Sequence, residues 1–222
     1  MPPKAPNRRG RSAKAALSRE AVLEAALTVV RQEGLRALSM RRLAAELDTG
    51  AASLYVYFAN RDELVAATFD QVVGTVETEP ADPERWREQT VDLLVRSREV
   101  MERHPGIALV AVAAIPTGDN AMRGADALMG YLRAGGFSDS AVAWAADVLF
   151  LYVTAAALEN TVRADDGHNV RDEMSERFTN LSAEEYPTLA ALGPALVSGE
   201  GEDRFRFGLE LMLNGLAHTR AG

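Results

Sequence analysis

From Ser18 onward the apolar residues recur at intervals of three and four. Leu23, Ala26, Leu27 and Val30 fall on one face of a helix, with Ser18 at its start and Gly34 as its left-handed stop. Ser39 is a good N-cap for a second short helix, Ser39–Leu47, whose apolar positions Met40, Leu43, Ala44 and Leu47 are again spaced three and four apart. Asp48-Thr49-Gly50 is turn chemistry, and a third short helix is predicted over Ala51–Tyr57. Asn60 and Glu63 form a capping-box pair at the head of a fourth helix that runs to about Glu77. After the break at Glu79–Pro83, with Asp82 as N-cap and Pro83 as the first helical residue, helical patterns cover about 84–103, 105–115, 119–134, 138–163, 183–196 and 203–218. Asp165 to Asn180 is polar and aperiodic and reads as a surface loop. No segment alternates as a strand would, so the expected fold is all-α: three small helices, a connecting helix and a larger helical bundle.

Charge divides the chain in the same place. Residues 1–61 hold eleven Lys and Arg against five Asp and Glu, an excess of +6, which leaves −14 for the remainder of a chain whose net charge is −8. A basic head on an acidic body suggests a module for a polyanion. There is no cysteine, so disulfides and thiolate metal sites are excluded, as a reducing cytoplasm would allow. No stretch reaches eighteen uninterrupted apolar residues, so no membrane span is expected. Residues 1–17, rich in Pro, Arg and Ala, read as a mobile basic arm rather than a secretory signal. The expected division is therefore an arm at 1–17, a helical head at 18–64 with its connecting helix at 61–77, and a body at 78–222.

Three short helices with a tight turn between the second and third suit major-groove reading, because the groove is about 12 Å wide and admits one helix while its neighbour rests on the backbone. Ser39–Leu47 would support and Ala51–Tyr57 would read. Ala51, Ala52 and Ser53 lead the reading helix, where small side chains allow close approach to base edges. Arg41, Arg42, Tyr55, Tyr57 and Arg61 are placed for phosphates, which fix register. Leu54 and Phe58, four apart, are core residues.

Ser39-Met40-Arg41-Arg42-Leu43-Ala44-Ala45-Glu46-Leu47 followed by Ser53-Leu54-Tyr55-Val56-Tyr57-Phe58-Ala59-Asn60-Arg61-Asp62-Glu63-Leu64 resembles the signature of tetracycline-repressor (TetR) family regulators. One departure is Asp48, where the family usually has Gly; Asp tolerates the left-handed conformation moderately well. The resemblance continues through Arg103-His104-Pro105-Gly106, Gly135-Gly136-Phe137-Ser138, Ala157-Leu158-Glu159-Asn160 and Phe205-x-Phe207-Gly208-Leu209-Glu210, in the order of the tetracycline repressor's C-terminal domain. It implies a homodimer built from the helices 138–163 and 203–218. The first of these is apolar nearly all round and must be buried on every side.

The resemblance also implies a pocket for a small-molecule effector, with Met101, Leu109, Val112, Ile115, Met122, Met129, Trp144, Leu149, Tyr152 and Glu159 as candidate lining residues. The family's metal-binding histidine would fall at Val110 or Ala111, neither of which can hold magnesium, and only Glu159 matches a polar contact of the tetracycline pocket. The expected effector is a more apolar antibiotic or secondary metabolite, with no metal and no cofactor.

The reading is thus a cytoplasmic, ligand-responsive repressor that binds a palindromic DNA operator as a homodimer and is released by its effector. A helical ligand-binding or interaction protein without specific DNA binding is the alternative. An enzyme is not expected, because His104, His168 and His218 lie far apart and in no metal or nucleophile motif.

Overall fold

In the computed structural model, residues 17–113, 117–165, 170–198 and 201–219 are described, and among them every regular element is helical. The head consists of α1 (Arg19–Glu33), α2 (Met40–Glu46) and α3 (Ala51–Leu54), with α4 (Arg61–Val73) leading out of it. The body is built from α5 (Trp86–Glu102), α6 (Ala108–Ala113), α7 (Asp119–Ala134), α8 (Asp139–Asp165), α9 (Val170–Thr179), α10 (Pro187–Leu196) and α11 (Gly201–His218).

α1, α2 and α4 begin where side chains can satisfy their first N–H groups, whereas α3 starts after Gly50 without a side-chain cap. Ser18 Oγ accepts from the Ala21 amide and Ser39 Oγ from the Arg42 amide, each at 3.1 Å. Asn60 Oδ1 accepts from the Glu63 amide at 2.8 Å, while the Glu63 carboxylate reaches back to the Ala59 amide at 2.7 Å, one residue outside the expected box. Each such cap contributes about 1 kcal/mol. Between α2 and α3, Asp48 adopts φ +48°, the left-handed state that the turn demands and that glycine would enter without a Cβ.

Buried side chains form one continuous core from head to body. Val22, Leu43, Leu54 and Phe58 pack in the head, Leu64, Phe69 and Val72 line α4, and Leu94, Ile107, Tyr131, Leu132, Leu149, Leu209 and Leu213 fill the body. α5 lies at its centre, against α7 and α8. A second head-to-body link is a backbone one. The Leu35 amide donates to Pro105 O at 2.9 Å, and Gly106, at φ +83°, brings the α5–α6 turn so close that a Cβ there would stand 3.1 Å from Leu35 Cβ.

Several boundaries differ from the periodicity. The third helix ends at Leu54, not Tyr57, because the chain turns there to bury Phe58. α4 stops at Val73 rather than near Glu77, as Gly74 caps it. α5 begins at Trp86; Asp82 Oδ1 accepts from the Glu84 amide at 2.9 Å, in a turn that precedes the helix. The segment expected to be a loop, 165–180, contains helix α9, and the helix expected over 183–196 starts at Pro187. α9 is polar, so its own sequence carries little periodicity. It packs on α10, where Gly193 leaves room for Phe178: a Cβ at Gly193 would lie 2.8 Å from Phe178 Cβ.

Within α8, Asp139–Thr161 has a mean hydropathy of 1.8, long and apolar enough to cross a bilayer by length and composition alone. In the fold it is a body helix with two apolar faces. Val142, Leu149, Val153 and Ala157 are buried against α5, α6 and α7, whereas Trp144, Val148 and Leu151 face outward.

The Gly106 approach makes a direct prediction. Gly106→Ala places an L-residue in the left-handed region against Leu35, which costs about 1–2 kcal/mol. At fixed protein concentration the melting temperature should fall by several degrees; an unchanged melting temperature would show that the two turns are not tightly docked.

Candidate nucleic-acid interface and effector site

Residues of α2 and α3 that point away from the core form one solvent-facing surface. Ala52, Tyr55 and Val56 are exposed, Val56 being 82% accessible, and Ala51 and Ser53 are half-buried beside them. Leu54 and Phe58 are buried, as their spacing predicts. Val56 was not among the residues expected here, yet it is four residues from Ala52, so the same periodicity places it on the reading side. Tyr57 is half-buried, and its hydroxyl donates to Leu17 O at 2.6 Å, so it ties the reading segment to the start of α1.

The basic residues differ in how far they are already engaged. Arg41 is exposed on α2. Arg42 is held by two carboxylates: Nε donates to Glu33 Oε1 at 3.0 Å and Nη1 to Glu46 Oε2 at 2.9 Å. The same pairing holds the Glu33 carboxyl below its ordinary range and the Arg42 guanidinium above its own. Arg61 lies at the surface but donates to Leu38 O at 2.7 Å and to Leu35 O at 3.3 Å, so its guanidinium buttresses the α1–α2 turn. The basic arm lies outside the described residues, apart from Leu17.

The expected effector residues do not meet in one place. Met101 is buried in the core, and Leu109, Val112, Met122 and Met129 are exposed on α6 and α7. Ile115 lies outside the described residues. Trp144 and Leu149 instead line a groove of about 470 Å³ between α8 and α11, together with Val148, Met212 and Leu216. Tyr152 and Glu159 border a separate recess of about 310 Å³ between α5, α8 and α11, with Arg98, Asn160 and Phe205. There Tyr152 stacks on Phe205 with ring centroids 5.2 Å apart. The Arg98 guanidinium sits 4.3 Å from the Phe205 ring centre on another side of it and pairs with Glu102 and Glu202. Burial raises the Tyr152 hydroxyl above its ordinary pKa. Among the described residues no cluster of three His, Asp or Glu could hold a metal ion.

Helices α1 to α3, with the side-chain caps of α1 and α2 and an exposed face at α3, define a helix-turn-helix module carried on a helical body. The comparisons give the family. Residues 22–68 match the model of bacterial regulatory proteins of the tetR family, and residues 79–220 match the tetracyclin repressor-like C-terminal domain. The chain belongs to the TetR family: it is a DNA-binding, ligand-responsive transcriptional repressor rather than an enzyme. It is 32% identical to the HTH-type transcriptional repressor DrrR1 of Streptomyces coeruleorubidus, over 94% of this chain and 80% of that one. The ActR protein of Streptomyces coelicolor in complex with actinorhodin shares 38% identity at a TM-score of 0.84, over 91% of this chain and 96% of that one. BioQ of Mycobacterium smegmatis, solved with its double-stranded DNA operator, shares 28% identity at a TM-score of 0.67, over 90% and 98%.

His104 lies in the α5–α6 turn that meets the head, with Nδ1 2.8 Å from Val100 O. Burial first, and then the charges of Arg31 and Arg103, hold its imidazole below the ordinary value of 6.5. Above that value the ring is neutral in both folded and unfolded chains and contributes nothing. As pH falls through it, the unfolded chain takes up a proton that the folded chain resists, so stability is lost on the acid side. The drop in melting temperature between pH 7.5 and 5.5 should therefore be smaller in His104→Gln; an equal drop would show that other groups carry the acid sensitivity.

Proposed function

We propose that the chain binds a palindromic operator as a homodimer, its two heads entering successive major grooves, and that a small, largely apolar effector, an antibiotic or secondary metabolite, releases it. The head comprises residues 18–64, the arm 1–17 and the effector and dimerisation body 78–222. Ala51, Ala52 and Ser53 meet base edges, and Tyr55, Tyr57, Arg41 and Arg61 meet the strands beside them. Arg42 reaches a phosphate only by exchanging Glu33 and Glu46 for it. The observation that carries the reading is the exposed row Ala52, Tyr55 and Val56, in front of a supporting helix whose own apolar side is fully buried. Its place of action is the cytoplasm, where the operator is.

The dimer is supported by what α8 and α11 leave uncovered. Trp144 is 74% exposed, Phe207 70% and Leu211 63%, and the groove between the two helices is lined mainly by apolar side chains, with Ser138, Ser140 and Thr219 as its polar members. Large apolar side chains gathered on one face mark an interaction surface, and a two-fold dimer brings identical faces together. It also matches half-sites about 34–36 Å apart.

The effector's class is supported by the uncovered Leu109, Val112, Met122 and Met129 on α6 and α7 and by the chemistry that is absent from the tetracycline positions. ActR, crystallised with actinorhodin, supplies a probe.

Two measurements test this reading. In a gel-shift assay on the DNA upstream of its own gene, the protein should retard the fragment and actinorhodin should release it. Ala52→Glu should weaken retention at least about tenfold, the scale of one or two lost base contacts. Arg41→Ala should lower the salt slope by about one phosphate, and Arg42→Ala by less. No retardation by the wild-type protein would end the DNA-binding model. By light scattering, the wild-type protein should have twice the chain mass, and Val148→Glu combined with Leu211→Glu should halve it; a monomeric wild type would remove the two-fold model.

A further inference from the structure

Helix α7 opens at Gly118, which has no side chain with which to cap it. Its first amides are nevertheless satisfied. The Ala121 amide donates to Asp70 Oδ1 at 2.9 Å, and the Asn120 amide to Asp70 Oδ2 at 3.4 Å. Asp70 belongs to the last turn of α4, so a carboxylate 50 residues back in the chain performs the capping that a serine or aspartate at position 118 would normally perform. It also places a negative charge at the positive end of a 16-residue helix. Asn120 closes the link from the other side, with Nδ2 donating to Asp70 O at 3.1 Å.

Two glycines make this approach possible. A Cβ on Gly118 would overlap the Asp70 carboxylate, and one on Gly74 would stand 2.5 Å from Asn120 Nδ2. Side chains at these points would push α4 and α7 apart. Further along α7, the buried Tyr131 fastens the segment that follows α4: its hydroxyl donates to Glu79 O and accepts from the Glu79 amide, both at 3.0 Å. α7 thus grips the exit of the head at two points, and only the Asp70 point lies on α4 itself.

We propose that Asp70 is the positioning residue that couples the body to the head: by capping α7 from α4, it makes the angle of α4 follow the placement of α7. α7 carries Met122 and Met129, two of the residues assigned above to the effector site. A displacement of α7 by a ligand is therefore passed to α4 through a charge-assisted, two-pronged bond in addition to the apolar packing that the two helices share. The inference rests on the effector-driven release proposed above, taking that release to follow a change in the angle of α4, but its readout is a distance within one chain and needs neither operator nor effector.

The experiment separates coupling from capping. Because the chain has no cysteine, spin labels can be placed at the exposed sites Ala45→Cys on α2 and Glu99→Cys on α5, with labelled chain diluted into unlabelled chain. The wild-type background should give one narrow distance distribution. Asp70→Ala should lower the melting temperature and shift or broaden that distribution by at least about 2 Å, the scale of helix shifts in switching proteins. Asp70→Gly, which also removes the Cβ that a side chain at 118 would strike, is then compared with Asp70→Gly combined with Gly118→Ser, in which the cap comes from within α7. The melting temperature should rise from the first variant to the second while the distribution stays altered, because the link to α4 is still cut. A folded double variant with the wild-type distribution would overturn the proposal and leave Asp70 as a cap only. Should that variant fail to fold, Asp70→Asn decides, since it keeps one acceptor and loses the charge. A distribution wider than wild type supports the coupling, and one identical to wild type overturns it. Retained gel-shift activity with a wild-type distance profile would fault the coupling alone, whereas lost DNA binding by wild-type protein would fault the functional reading alone.

Discussion

Helix α4 has to belong to two packings at once, and the rest of the architecture follows from that constraint. Leu64, Thr68, Phe69 and Val72 are buried along it within the same apolar core that holds Val22 and Leu43 in the head and Tyr131 and Leu132 in the body. A repressor whose head hung on a loose tether could bind its effector without any effect on DNA, because a ligand shifts an equilibrium only by its different affinity for two states of the whole molecule. The shared core supplies that connection. Packed interiors transmit displacement because they leave little free space into which a helix could relax.

The same molecule leaves a large apolar surface open where it is least expected. The outward face of α8 and the outer side of α11 would be a liability on a monomer. The composition of α8 is also why, among the described residues, it alone satisfies the length and hydropathy of a membrane span. A helix with one face in a protein core and the other in a protein interface is apolar all round for the same reason as a lipid-embedded one: neither side meets water. Composition cannot distinguish these environments. Asp147 and Glu159 show the difference, since both are exposed on this helix and would be expensive within hydrocarbon.

Local chemistry was legible in the sequence; neighbours were not. Ser18, Ser39 and Asn60 announce helix starts because a cap acts within three residues, and Asp48 announces a left-handed turn because few other residues adopt one. The Asp70 cap on α7 has no such local mark: donor and acceptor come together only once α4 and α7 have packed, and Gly118 by itself suggests no helix start. α9 was hidden for a similar reason, because its order depends on α10. The effector residues show the limit most clearly. Periodicity placed Trp144 and Tyr152 on α8 but could not say which neighbour each would face, and they border two different cavities, one lined by Leu213 and the other by Phe205.

The charge of the head invites a simple picture in which every arginine near the reading helix is a phosphate clamp, and the ion pairs argue for a division of labour instead. Arg42 spends its guanidinium on Glu33 of α1 and Glu46 of α2, and Arg61 on the carbonyls of the α1–α2 turn. Both hold the supporting helix at its angle before any DNA arrives, which lowers the ordering cost of association. In the proposed binding mode the strand contacts cheapest to make are those of groups uncommitted in the free protein, with Arg41 and Tyr55 foremost because they already face solvent, while Arg42 and Arg61 must first give up partners. Arg42 and Arg61 thus act first on the head's own geometry, so the basic excess of residues 1–61 is not a count of phosphate contacts.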